Sequence, residues 1–252
     1  PSKMRNANKM TMFDDKSHNF IMHVGDHLAY RFEILSVLGS GAFGRVARCR
    51  DHKTQQVIAV KVMVNTNQMF EQGKIEAKVL AILNSRNCPH IIRAFDYFVF
   101  RSHICITFEC LGKNLYELCE LNNFAPFKIP TVKTYTAQIL MALDVAHKSK
   151  VVHADLKPEN VLQVDDKTVK LIDFGSSFVF GGQKYEYIQS RYYRAPEVIM
   201  GLPYSSPMDM WSLALVAAEL IKGEPLFPGH DELDQLVRIA EVIGEPPLAM
   251  VQ

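Results

Sequence analysis

His153-Ala-Asp155-Leu-Lys157-Pro-Glu-Asn160, with Asp173-Phe174-Gly175 downstream of it, decides the fold of this 252-residue chain. Phosphoryl transfer needs a carboxylate beside the accepting hydroxyl, a cation beside the moving group and oxygen ligands for Mg²⁺. Asp155, Lys157 and the pair Asn160 with Asp173 supply these in that order. An Asp-Phe-Gly tripeptide alone is weak. Behind this octapeptide it is strong, because both metal-ligand candidates then flank a short hydrophobic hairpin, Val161-Leu162 and Val169 to Ile172.

Upstream, Gly39-Ser-Gly41-Ala-Phe43-Gly44-Arg-Val46 lies between two strand-like runs, Phe32 to Leu38 and Arg45 to Arg50. A dinucleotide fold would need a helix after these glycines, so that its N-terminus meets the pyrophosphate. Here the chain continues as a strand and turns at Asp51-His52-Lys53. That pattern predicts a glycine-rich hairpin closing over a triphosphate, with Gly39 and Gly44 letting the backbone come close. Val57 to Lys61 alternates like a strand and ends on the lysine, placed for the α- and β-phosphates. A helix is predicted from about Asn67 to Asn84, with Ile75, Val79, Leu80 and Leu83 on its apolar face. Of its two acids, Glu76 sits mid-helix and is assigned to an ion pair with Lys61. Glu71, near the N-terminus, reads as a solvated residue favoured by the helix dipole. Alone, the glycines fit a decorative hairpin and Lys61 a solvated strand end. The downstream motifs outweigh both.

The order of glycine loop, Lys61, Glu76, Asp155, Asn160, Asp173 and Ala195-Pro196-Glu197 is that of the eukaryotic protein kinase fold. Tyr185-Glu-Tyr187-Ile-Gln-Ser-Arg191-Tyr-Tyr-Arg194-Ala-Pro-Glu197 resembles the activation segment of the dual-specificity tyrosine-regulated kinases (DYRK), in the group that also holds the cyclin-dependent and MAP kinases. Phe108-Glu-Cys-Leu-Gly-Lys-Asn-Leu-Tyr116, Asp173-Phe-Gly-Ser-Ser177 and Gly223-Glu-Pro-Leu-Phe227 extend the resemblance. Phe13-Asp-Asp15 and Asp26-His-Leu-Ala-Tyr30-Arg-Phe-Glu33 are similar to the short extension before the catalytic domain, closer to the family's second class.

The resemblance implies an α+β, bilobal kinase fold: an extension over 1–29, a β-rich small lobe over 30–109 with one helix, and a helical large lobe over 110–252. It implies ATP and Mg²⁺ as cofactors, with ATP in the cleft between lobes. Gly39, Gly41, Gly44, Val46, Ala59, Lys61, Glu109, Leu111 and Leu162 would hold the nucleotide, and Phe108 would be a bulky gatekeeper. Leu80, His153 and Phe174 would stack as a spine, which makes His153 structural. Substrates would be proteins, at serine or threonine followed by proline with arginine upstream. Tyr187 would be autophosphorylated, with Arg191 and Arg194 receiving the phosphate. Tyr185 is the weaker candidate.

Composition agrees and excludes other classes. The formal charge of +1, from 28 basic and 27 acidic residues, gives no footprint of a nucleic-acid binder. Trp211 to Ile221, the longest apolar run, is too short for a bilayer and carries Glu219, so no membrane partner is expected. Five cysteines without CxxC spacing read as reduced thiols of an intracellular protein, in cytoplasm or nucleus. Cys88 and His90 supply two ligands where a zinc site needs four, and read as a packed loop before a strand from Ile91 to Phe98.

Residues 1 to about 29 are polar and read as loop-rich, and Pro1 suggests a trimmed chain. Cys110-Leu-Gly112 reads as a linker. Helices are expected over Asn114 to Leu121, Pro130 to Lys150 and Pro207 to Ile221. Three features stand against the family pattern. Ala154 replaces the arginine or cysteine expected before Asp155, and Ala214 replaces a glycine. The chain also stops after Gly244-Glu-Pro-Pro247, before the last helices, where an arginine would be expected to reach Glu197. That end predicts a large lobe left open over its central helix. The expected activity is therefore an ATP-dependent protein kinase, with a nucleotide-binding pseudokinase or scaffold as the alternative.

Overall fold

Every residue from Ile58 to Met63 is buried, and only Val57 of the strand Val57–Met63 is exposed. The computed structural model, which describes residues 11–181 and 187–247, explains this by covering both faces of that strand. Tyr185 lies outside the described residues. The chain divides into two units. One runs to Ser85 and includes Ile92–Cys110. The other holds Arg86–Ile91 and Leu111 onward.

The first unit is a six-stranded antiparallel sheet. Its strands are β1 His27–Leu28, β2 Phe32–Gly41, β3 Gly44–Asp51, β4 Val57–Met63, β5 Ala94–Phe100 and β6 His103–Glu109, in the order β1-β2-β3-β4-β6-β5. Ile58, Val60 and Val62 alternate to one face of β4 and pack with Phe20, Leu28, Phe32, Ile34, Ala47, Cys49 and Cys105. Phe13 and Met22 join that cluster, so the segment before β1 is a lid of aromatic anchors rather than a merely polar loop. Helix α1, Asn67–Asn84, has the predicted bounds and is capped by the Thr66 hydroxyl, which accepts from the Met69 amide. Val79, Leu80 and Leu83 are buried, but Ile75 is 37% exposed, contrary to the expected apolar face. The buried stripe runs through Gly73 and Glu76 instead. A Cβ on Gly73 would stand 3.2 Å from Ile104, so a small residue brings the helix close. Burial pushes the Cys49 and Cys105 thiols up to about 12, so they behave as small apolar groups.

The lid is fastened by one buried acid. Asp14 accepts from His103 Nε2 and Asn65 Nδ2, both at 2.9 Å, and from the Thr11 amide and hydroxyl. The other ring nitrogen of His103 faces the Met63 carbonyl at 2.6 Å. Arg101, in the two-residue turn between β5 and β6, lays its guanidinium 3.4 Å from the Phe13 ring centroid. Both turn residues, Arg101 and Ser102, have positive φ, as a tight hairpin of this hand requires.

The second unit contains α2 Leu115–Leu121, α3 Ile129–Lys148, α4 Pro196–Ile199, α5 Pro207–Lys222 and α6 Glu232–Ile243. Two antiparallel strand pairs accompany them: β8 Val161–Asp165 with β9 Thr168–Leu171, and β7 Val151–Val152 with β10 Phe178–Val179. Three helices match expectation within two residues, although α3 stops at Lys148 because Lys150 turns left-handed. The strand expected from Ile91 to Phe98 starts at Ala94 and runs to Phe100. Ile91 leaves it to bridge Leu171, and His90 Nδ1 meets the Val169 carbonyl at 3.1 Å. Arg86–Ile91 is thus a loop of the second unit. No described helix is long and apolar enough to cross a membrane.

Two predictions follow from the sheet unit. Gly44 sits at φ +140°, and a Cβ there would fall 2.1 Å from the Val62 carbonyl oxygen. Gly44→Ala should cost at least about 2 kcal/mol, or roughly 4–8 °C in Tm. Gly41→Ala, at an open position, should change Tm by less than about 2 °C. Equal melting of the two variants would refute the contrast. For Asp14, burial pushes the carboxyl up, but hydrogen bonds from Thr11, Asn65 and His103 outweigh it and hold it below the usual range. Its stabilisation is therefore complete above the ordinary carboxylate value and is lost as pH falls through the lower folded value. Asp14→Ala should cost about 2–4 kcal/mol at neutral pH, a gap that narrows in melts below about pH 4.

Candidate active site

The hairpin of β2 and β3 pairs Gly39 with Val46, Ser40 with Arg45 and Gly41 with Gly44, leaving Ala42 and Phe43 as its tip. A strand, not a helix, follows the glycines. Val46 pairs directly with Lys61, and Ala59 with Phe108, so these four side chains belong to one face of the sheet. This is the face opposite Ile58, Val60 and Val62. Lys61 Nζ lies 2.8 and 2.9 Å from the two carboxylate oxygens of Glu76, and both residues are buried. The Phe43 ring centroid is 5.5 Å from the same ammonium. Glu71 is exposed and pairs with Lys74 at 2.6 Å. The Glu109 amide donates to the Arg93 carbonyl at 3.0 Å, fixing the end of β6.

In the second unit the catalytic-loop candidates are set by the buried carboxylate of Asp209. Its two oxygens accept from the amides of His153 and Ala154 and from the His147 ring, each at 2.8 Å. Ala154 is thereby held left-handed, at φ 65°. His153 Nδ1 accepts from the Asp155 amide at 3.2 Å, which leaves Nε2 to donate to the Ile172 carbonyl at 2.8 Å. Its ring meets Phe174 edge-on at 4.9 Å. Both ring nitrogens are thus engaged with backbone.

Asp155 and Lys157 come together around one hydroxyl that the motif reading did not single out. Ser190 Oγ donates to Asp155 Oδ1 at 2.8 Å and accepts from Lys157 Nζ at 3.0 Å. Lys157 Nζ is also 3.0 Å from Asp155 Oδ2. Asn160 Nδ2 donates to the Asp155 carbonyl at 2.8 Å, and the Ile172 amide donates to the Asn160 carbonyl at 2.9 Å. Asp173 is left-handed, at φ 56°, with its carboxylate accepting from the Gly175 amide. Leu111 and Leu162 lie in this unit, and Leu162 is half-buried on β8.

The activation-segment candidates converge as well. Arg194 is 1% exposed, donates from Nε to the Ile188 carbonyl and from Nη2 to the Gln189 carbonyl, and pairs with Glu232 at 3.0 Å. Its guanidinium carbon stands 4.0 Å from the Tyr187 ring centroid. Hydrogen bonding from Arg194, its charge and that of Arg191 hold the Tyr187 phenol below its usual range. Arg191 Nη1 donates to the His230 carbonyl at 2.7 Å, while its buried Nε has no partner among the described residues. A cavity of about 290 Å³ adjoins this region, lined by Tyr116, Lys157, Glu159, Ser190, Arg191, Tyr192, Tyr193, Glu219 and Pro225. Desolvation pushes the Glu219 carboxyl up, although the Tyr193 hydroxyl donates to it at 2.5 Å.

Residues 32–248 match the family model for the protein kinase domain. The chain is 45% identical to human dual specificity tyrosine-phosphorylation-regulated kinase 4, over 96% of this chain and 48% of the relative. It is 47% identical to kinase mbk-2 of Caenorhabditis elegans, over 93% of this chain and 29% of the relative. Kinase 3 of Rattus norvegicus is 43% identical, over 95% of this chain and 42% of the relative. The chain thus spans less than half the length of these relatives. With its α+β architecture and a family match across most of its length, this chain belongs to the protein kinase domain family and is similar to the dual specificity tyrosine-phosphorylation-regulated kinases.

Proposed function

We propose that this chain carries an ATP-dependent protein kinase that transfers the γ-phosphate to serine or threonine of protein substrates and autophosphorylates Tyr187. Protein kinase domains use ATP and a divalent metal and act on proteins. The observation that carries the reading is the Asp155–Lys157–Ser190 cluster. It sets a carboxylate, an ammonium and a hydroxyl within hydrogen-bond range of one another. Asp155 orients the substrate hydroxyl and takes its proton, and Lys157 holds charge on the transferring group. Lys61, fixed by Glu76, holds the α- and β-phosphates under the glycine hairpin. Gly39, Gly41, Val46, Ala59, Glu109, Leu111 and Leu162 are assigned to the nucleotide, and Phe108 to the gatekeeper position. Asn160 and Asp173 offer an amide and a carboxylate oxygen, a hard donor pair that fits Mg²⁺, which when bound neutralises phosphate charge. Ala154 does not favour the pseudokinase alternative, because Asp209 grips its amide and not its side chain.

For substrates, serine or threonine followed by proline with arginine upstream fits this family. Glu159 on the cavity wall gives a guanidinium a carboxylate to meet. A peptide library that selected acidic flanks would contradict this.

Transfer of labelled γ-phosphate tests the chemistry. Asp155→Ala should lose about 10²–10⁴ in rate while keeping nucleotide binding. Ser190→Ala, which loosens the Asp155–Lys157 spacing, should lose roughly 10–10². Normal turnover of Asp155→Ala would remove this mechanism. On Tyr187, a phosphate adds about 1.5–2 negative charges beside Arg191 and Arg194. Peptide mass spectrometry of active protein should find Tyr187 phosphorylated, and Tyr187→Phe should be less active. Full activity with Tyr187 unmodified would exclude this model of activation.

A further inference from the structure

Away from the machinery above, three metal-ligating side chains of the sheet unit converge. His27 and Glu33 are direct cross-strand partners on β1 and β2, so their side chains leave the same face of the sheet. His52 follows β3, and its amide donates to the Arg31 carbonyl at 3.1 Å, which fixes the turn beside that pair. Its Nε2 lies 2.8 Å from Glu33 Oε2, and its ring stands 5.2 Å from that of His27 at an interplanar angle of 31°. One ligand atom from each residue lies within 4.8 Å of the other two. Both histidines are exposed, and the His27 ring makes no hydrogen bond among the described residues.

We propose that His27, Glu33 and His52 form a binding site for a divalent transition metal of the Zn²⁺ class. Two imidazoles and one carboxylate are a donor set that suits Zn²⁺ and disfavours Mg²⁺, which selects oxygen ligands. Around a tetrahedral ion with bonds of about 2.0–2.2 Å, neighbouring donor atoms lie roughly 3.3–3.6 Å apart. The three groups need close by little more than about 1 Å, which rotation of exposed side chains supplies without moving the backbone. The outward side faces solvent, so water completes the coordination. An ion here would tie together β1, β2 and the turn after β3. Because among the described residues β1 pairs only with β2, that tie would secure the start of the sheet.

The test is isothermal titration of the 252-residue chain with ZnCl₂ in millimolar MgCl₂, which keeps oxygen-only sites filled. Wild type should take up a Zn²⁺ equivalent that survives the Mg²⁺ and raises Tm. His27→Ala leaves the Glu33–His52 hydrogen bond in place, so its metal-free circular dichroism and Tm should match wild type. In His27→Ala and in Glu33→Gln that equivalent should be absent or at least about tenfold weaker. No Zn²⁺ uptake by wild type, or an equivalent retained unchanged in either variant, overturns the proposal.

Discussion

The candidate catalytic segment hangs on the carboxylate of Asp209, which is fully buried on α5. A buried carboxylate left unpaired costs several kcal/mol, about 3–5 when one partner of a pair is removed. Here three donors at 2.8 Å satisfy it, and two of them are consecutive backbone amides. That geometry exists only with the chain bent left-handed at Ala154, a conformation costing an L-residue roughly 1–2 kcal/mol. The bend sends His153 and Asp155 in different directions. His153 then bridges the Asp155 amide and the Ile172 carbonyl, which carries the constraint on to the Asp173 segment. One acid on a helix therefore sets the backbone of both metal-ligand candidates.

In the sheet unit the corresponding constraint is the two-sided burial of β4. Lys61 can be buried because Glu76 meets its ammonium with both oxygens, and the same contact offsets the burial of the Glu76 carboxylate. The opposite face of β4 carries no polar group and is sealed by Phe20, Leu28 and their neighbours. Asp14 then closes the lid by using up the donors that His103 and Asn65 would otherwise bury unsatisfied.

Much of this was legible because it is written in local patterns. The bounds of α1 follow from the apolar period through Val79, Leu80 and Leu83, and the glycine hairpin from strand-like runs on both sides. The strand read at Val57 to Lys61 is present and runs on to Met63, with both of its faces covered. The start of β5 was misplaced because Ile91 is apolar for a different reason, its bridge to Leu171. Helix α6 was overlooked despite its cap, the Asp231 carboxylate accepting from the Asp234 amide. In the site, residues with a chemical signature were readable from spacing. Ser190 was not, because a serine announces nothing until folding sets its hydroxyl between Asp155 and Lys157. Gln189 is similar: its amide spans the Met208 carbonyl, Ser212 and the Ala195 amide, all reached through the fold.

Ala154 shows how packing decides what a charge can do. Its side chain lies in an apolar cluster with Val152, Phe178, Ile188, Ala195, Val198 and Met208. A guanidinium in that cluster would have to be paired or would lose its hydration at a cost of several kcal/mol. Arg194, the proposed partner of a Tyr187 phosphate, is also buried but has its partners built in. Three of its N–H groups are committed, to the Ile188 and Gln189 carbonyls and to Glu232. A guanidinium has five. The remaining pair is what can turn toward the Tyr187 oxygen, whose hold on its proton Arg194 already weakens. Because two of the committed bonds go to backbone carbonyls of residues just after Tyr187, charge added at that tyrosine is felt by the same backbone that carries Ser190 to Asp155.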